Sequence, residues 1–388
     1  MKIRKTILIL LPIVALAAPA ACRKQTVPQS TANSNLAVTE EKPAGGEASV
    51  GERSYFRGTI SAGANNLKIE MTLLREGERV SGSYFYPKVG KNIELNGTVD
   101  KDGNVDLREK DDSGKETGVF KGKWKAAVKP NELGNIAGKW SRPDGSKETT
   151  FELNQQPIDF SAAAARFVPK VIKEANKQSR YRIDVVYPQI EGDARFDKFN
   201  KEARAMVTKN LAAFKTSETS NETDAGSDLP AETQTSTLDS DYEIRLAGDD
   251  LISLEFSESA YSRGAAHPNS YTTVLNYDVL NGKKLALADL FNAKSNYLKA
   301  ISDYCIKDLK QQAKKEKDSM LTDDMIQAGA LASADNFKSW TITRQGLRIT
   351  FDPYQVAAYA AGPQQVLVPY SALKDLIKAD GPIAAFAQ

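Results

Sequence analysis

The sequence predicts an α+β protein in which a β-rich, barrel-like meander precedes a region of mixed or antiparallel sheets covered by helices. Three observations carry this. A glycine-centred strand pattern recurs between residues 55 and 153, an apolar stripe at helical spacing runs from 194 to 214, and turn-separated strands surround the only histidine, His267.

The glycine pattern is apolar-x-Gly-x-apolar, and it occurs as "FRGTI" (Gly58), "VSGSY" (Gly82), "LNGTV" (Gly97), "FKGKW" (Gly122) and "IAGKW" (Gly138). Alternate strand residues share a face, so each glycine lies between two apolar side chains on the buried side. Glycine weakens a strand there unless it allows bending or close backbone approach. The turn signals "KDGN", "DSGK" and "PDGS" separate about eight strands, which an up-and-down barrel over 53–155 accommodates. Trp124, Trp140, Tyr84 and Tyr86 would either fill a small core or line a ligand cavity.

The pattern changes after residue 155. "YRIDVVYPQI" (181–190) reads as a strand ending at Pro188, and 194–214 as a helix with Phe196, Phe199, Ala203, Met206, Val207, Leu211 and Phe214 on one face. Residues 215–241, rich in Ser, Thr and acids, read as a solvated loop. Two strands, the turn "GAAHP" and "YTTVLNYDVLNGKKLAL" continue a sheet, and further helices are expected near 294–316 and 370–379. The composition shift between Gln155 and Lys170 marks a domain boundary that few contacts should cross.

The N-terminus has Lys2, Arg4 and Lys5, an apolar run from Ile7 to Leu16, and then small residues, the pattern of a secretory leader over 1–21. Without its three basic residues the formal charge falls from +2 to −1 (2 − 3 = −1), which gives no electrostatic reason to expect nucleic acid. Cys22 after "PAA" is placed like the lipidated cysteine of a bacterial lipoprotein, although Pro19 replaces the usual branched residue and cleavage after Ala20 is the alternative. Residues 22–52 are polar and Gly/Pro/Ser-rich, a flexible tether with a reach of roughly 30 Å. The expected location is therefore the periplasm or outer cell envelope, with membrane anchorage through Cys22.

Several segments together resemble a known domain pair: "YPQI", the amphipathic helix, "GAAHP", "LNYDVLNGKKLALADLF" and "FDPYQVAAYAAGPQQVLVPYSAL". They are similar to the extracytoplasmic pair of the anti-sigma factor RsiV, over roughly residues 180–380. The first of that pair also stands in front of the catalytic domain of the deacetylase PdaC. The resemblance divides this half into domains at 165–287 and 288–388, and implies binding of lysozyme. Only five residues precede the apolar leader, so no sigma-binding segment is expected, and no deacetylase domain is recognised.

Residue counting limits the chemistry. One histidine and two cysteines, Cys22 and Cys305, cannot supply a zinc site of three or four His and Cys ligands. "DKDGNVDLRE" has its glycine at the fourth place rather than the sixth, so it reads as a hairpin turn and not a calcium loop. No GxSxG elbow accompanies His267, and Cys305 falls beside the apolar stripe of Leu298, Ile301, Ile306 and Leu309. His267 is then a turn-locking or partner-contacting residue: Gly264 lets backbone approach, Pro268 fixes the exit, and the ring bonds nearby backbone.

The expected function is non-catalytic binding of a lysozyme-like protein or a peptidoglycan fragment, with no cofactor, metal or catalytic set. Tyr354 and Tyr359 are candidate binding residues beside His267, with burial in the core as the alternative. The competing reading is an envelope hydrolase that cleaves cell-wall glycan by a carboxylate mechanism.

Overall fold

The computed structural model describes residues 52–387 except 63–64, 88, 90, 128–131, 163, 221–233 and 317–318. The leader, Cys22 and the tether as far as residue 51 lie outside the described residues. Among those described, no helix is long and apolar enough to cross a membrane.

The N-terminal strands close an eight-stranded antiparallel barrel in chain order: Glu52–Ala62 (β1), Asn65–Glu76 (β2), Arg79–Phe85 (β3), Ile93–Val99 (β4), Asn104–Lys110 (β5), Glu116–Lys125 (β6), Asn135–Ser141 (β7) and Thr149–Gln155 (β8). The repeat glycines explain how it closes. A Cβ on Gly58 would lie 1.9 Å from the carbonyl oxygen of Glu152, and one on Gly138 2.1 Å from that of Lys121. Neighbouring backbones therefore cross closer there than any side chain permits. Gly138 faces Gly122 directly across β6 and β7, so two repeats share one close approach. The flanking apolar residues fill the interior. Phe120 meets Phe151 and Tyr84 edge-on, with centroids 5.1 and 5.4 Å apart, and Phe56 meets Trp124 at 5.2 Å.

Next comes a mixed sheet of Ile158–Asp159 (β9), Arg166–Asn176 (β10), Tyr181–Glu191 (β11), Ser236–Gly248 (β12), Leu251–Tyr261 (β13), Asn269–Asp278 (β14) and Lys283–Lys284 (β15). Its order is β10-β11-β12-β13-β14-β15, with β9 added beside the far end of β12. The β11–β12 and β9–β12 pairings are parallel and the others antiparallel. The helix Asp197–Ser220 (α1) packs its stripe of Phe199, Ala203, Val207, Leu211 and Phe214 into this sheet's core. Each large side chain so buried contributes at most about 1.5–3 kcal/mol.

Two expectations change here. β11 does not stop at Pro188 but continues to Glu191, with Pro188 opposite Pro169 of β10. Two residues without N–H groups can face each other where the antiparallel ladder needs no bond between them. Of the loop expected at 215–241, residues up to Ser220 belong to α1 and those from Ser236 to β12. Thr216 returns its hydroxyl to the carbonyl of Ala212, so it is held within the helix. Composition alone reads Thr216 as a loop residue.

The last part holds the helices Tyr297–Lys315 (α2) and Asp323–Gly329 (α3) against a small antiparallel sheet of Trp340–Ile342 (β16), Gly346–Phe351 (β17) and Gln364–Pro369 (β18). Ile301, Cys305 and Leu309 of α2 enter its core. The segment expected as a helix at 370–379 instead forms two short 3-10 turns, at 370–372 and 374–376. Leu373 leaves helical geometry (φ −119°), and Ile377 bridges back to Phe291.

The described residues from 52 onward pack as one unit. The mixed sheet and the last sheet interlock through Asn276, which donates to the Trp340 carbonyl at 2.8 Å and accepts from Ser253 at 2.6 Å. The barrel meets the mixed sheet through an ion cluster of Arg57, Lys68, Glu70 and Asp241.

Candidate functional site

The two sequence segments with the most specific pattern meet in space. The turn at 262–265 closes with the Ala265 N–H donating to the Ser262 carbonyl, and Gly264 takes φ +80°, a conformation that glycine enters without a Cβ clash. The turn carries His267 outward, exposed, with Nδ1 at 2.9 Å from the Pro268 carbonyl. Its ring stacks on Tyr359, with centroids 4.0 Å apart and planes inclined by 27°. The Tyr359 hydroxyl donates to the same Pro268 carbonyl, so turn and ring are held together. Tyr354 extends the surface, 5.4 Å from Tyr359 and tilted by 35°.

Tyr354 is 59% exposed and its backbone is in the left-handed region (φ +71°). An aromatic residue rarely takes that conformation. The segment is held from beneath, since Val356 and Ala357 are buried and Gln355 donates to the carbonyls of Gly329 and Asn336. Tyr354 and Tyr359 are therefore not core residues. With His267 they make an aromatic platform at the junction of the mixed sheet and the last sheet. Flat, partly wetted rings of this kind offer apolar faces to a partner with little side-chain entropy to lose.

The thiol weighed as a partner for His267 is packed away from solvent. Cys305 is fully buried in a different core, where burial pushes its thiol well above the ordinary range, and Asp308 adds to the effect. Asp100 spends its carboxylate on the backbone N–H groups of Asp102 and Asn104, closing the β4–β5 hairpin.

A second feature carries no sequence pattern. At the barrel's contact with β12, Arg57 pairs with Glu70 at 3.0 Å and with Asp241 at 3.2 Å, and lies over the Tyr242 ring at 4.4 Å. Tyr242 donates its hydroxyl to Glu70, and Lys68 also pairs with Asp241. A cleft of about 550 Å³ opens beside this cluster. Its members lie up to 185 residues apart in sequence. Arg57 sits inside the first glycine repeat, but nothing in "FRGTI" sets its charge apart, so only the folded chain brings these residues together.

Residues 174–270 and 288–371 match two known families. The first segment matches the model described as Deacetylase PdaC and the second that of a protein of unknown function, DUF3298. The C-terminal half thus carries a PdaC-like and DUF3298-like pair of domains. The PdaC-like segment begins in β10 and ends at the start of β14, and the DUF3298-like segment covers α2, α3 and the last sheet. His267 falls in the first, and Tyr354 and Tyr359 in the second.

Among curated proteins, peptidoglycan-N-acetylmuramic acid deacetylase PdaC of Bacillus subtilis is 30% identical over 146 residues, which is 38% of this chain and 30% of that protein. The chain thus aligns with less than a third of that relative's length. Two solved structures are similar at lower identity. A DUF3298-family protein of Bacteroides fragilis (18% identity, TM-score 0.42) is covered over 98% of its chain by 58% of this one. A DUF3298-family protein of Pseudomonas aeruginosa (15% identity, TM-score 0.42) is covered over 96% by 56% of this one.

Proposed function

We propose that this is a non-catalytic binding protein of the bacterial cell envelope, whose C-terminal half holds a lysozyme-like protein or a peptidoglycan fragment. The observation that supports this reading is the meeting of "GAAHP" with "FDPYQVAAYAAGP" at the His267–Tyr359–Tyr354 platform. The likeness to a domain of a peptidoglycan deacetylase supports the envelope setting. Sugar rings have an apolar face that can lie flat on tyrosine, and protein interfaces use tyrosine as an anchor.

Calorimetric titration of lysozyme, and separately of soluble glycan fragments, into the protein tests the reading. One of the two should bind saturably in the presence of a chelator. Tyr354→Ala should weaken it by about tenfold or more, equivalent to about 1.4 kcal/mol, without changing the unfolding midpoint. Absence of binding for both ligands, or equal binding by the variant, would defeat it.

A further inference from the structure

The cleft beside the barrel is unevenly charged. Its lining includes the cations Arg57, Lys68, Arg245, Arg344 and Arg348 and the acids Glu70, Asp241 and Glu243. On the barrel side Arg57 and Lys68 are matched by Glu70 and Asp241. Across the cleft, Arg245 is matched by Glu243 at 2.6 Å and by Glu255 at 2.8 Å.

The remaining two arginines are under-neutralised. Arg348 donates to a neutral oxygen, Oε1 of Gln365, at 2.7 Å, and its Nε is buried without an acceptor. Burial and the neighbouring charge of Arg245 work against its guanidinium, and Glu255 and Glu243 offset this only in part. Arg344 reaches Asp159 only at 3.8 Å, and that carboxylate is 83% exposed, so solvent screens the pair. Two guanidinium groups four residues apart, Arg344 in the β16–β17 turn and Arg348 within β17, thus line one cleft with little direct carboxylate pairing.

We infer that this cleft binds a short peptide by its free C-terminal carboxylate, with Arg344 and Arg348 taking the carboxylate and Asn154 and Gln156 the peptide's amides. Arginine forks match carboxylate geometry through paired hydrogen bonds. The neutral amides of Asn154 and Gln156, together with the apolar Ile69, Pro87 and Ile244, also line the space. That mixture suits a peptide better than a bare anion, and the volume is in the range of small-ligand sites. The inference rests on the cleft alone and not on the aromatic platform, so either can fail without the other.

The test is calorimetric titration of the whole protein with N-acetyl-trialanine as the free acid, with its C-terminal amide, and with inorganic phosphate, all at one ionic strength. The free acid should bind saturably, and the amide roughly tenfold or more weakly. Arg344→Gln and Arg348→Gln should each reduce binding of the acid by a similar factor. Arg344 is partly exposed, so its variant reports even if loss of Arg348 perturbs folding. Equal binding of acid and amide, no saturation, or unchanged binding by Arg344→Gln would overturn the inference. Phosphate binding as tightly as the acid would mark a simple anion site and overturn the peptide assignment.

Discussion

Tyr242 donates its hydroxyl to Glu70 at 3.1 Å, joining β12 of the mixed sheet to a barrel strand 172 residues earlier. Both groups are buried, and Arg57 lies against both. Glu70→Gln keeps a hydrogen-bond partner for Tyr242 but deprives the part-buried Arg57 of one of its two carboxylates. The expected cost is about 3 kcal/mol, read from denaturant midpoints. A variant as stable as the parent would show that the cluster does not hold the barrel in place.

Asp241 makes the cluster sensitive to acid. Burial pushes its carboxyl up, but the charges of Arg57 and Lys68 outweigh burial and hold it below the ordinary carboxylate range. Its folded value therefore lies below its unfolded one. Ionised Asp241 contributes stability in full above the unfolded value of about 3.9, and that contribution fades as pH falls through the folded value. Asp241→Asn should be less stable than the parent at neutral pH, with the gap narrowing below about pH 4. A gap that stays constant between neutral pH and pH 3 would contradict this pairing.

The repeat glycines make a separate stability prediction. Gly58→Ala puts a methyl group into the carbonyl of Glu152, where the neighbouring strand's backbone cannot yield cheaply. A loss of about 2–3 kcal/mol is expected, with far-ultraviolet circular dichroism tracking the barrel. Near-neutral behaviour would mean that the strands can separate there and that the glycine pattern has another cause.

The barrel was legible because its cause is local: apolar-Gly-apolar alternation records both which face is buried and where backbones cross. The α1 stripe was legible for the same reason, since Phe199 to Phe214 repeat at the helical period. The end of that helix was not, because Ser and Thr signal loops by composition while Thr216 bonds back to its own helix. The fate of 370–379 depended on Phe291 pairing with Ile377, a long-range contact with no local trace. His267, Tyr354 and Tyr359 could be named from pattern, yet their stacking required the fold. The Arg57 cluster and the arginine cleft arise from strands far apart in sequence, and no periodicity encodes them.

Tyr354 sits at φ +71°, which costs a non-glycine residue about 1–2 kcal/mol. Tyr354→Gly relieves that strain while removing the exposed ring. The variant should be at least as stable as the parent in thermal unfolding and should bind the platform's ligand about tenfold more weakly. Clear destabilisation with binding intact would reverse both halves of the prediction.

The lipid anchor expected at Cys22 is tested by intact mass of protein extracted from membranes. An acylated chain beginning at Cys22 is the expected result. A soluble, unmodified chain beginning at Ala21 would exclude lipidation.

The most direct measurement follows both fates of a cell-wall substrate in one sample. Purified peptidoglycan, with and without added lysozyme, is incubated with the whole protein and a chelator. Pelleted and soluble fractions are then analysed by mass spectrometry. A binder should be retained on the glycan or on lysozyme, lose that retention in Tyr354→Ala, and leave the glycan's mass distribution unchanged from the protein-free control. New soluble glycan products that vanish when a single carboxylate is replaced would contradict the binding function and establish a hydrolase instead.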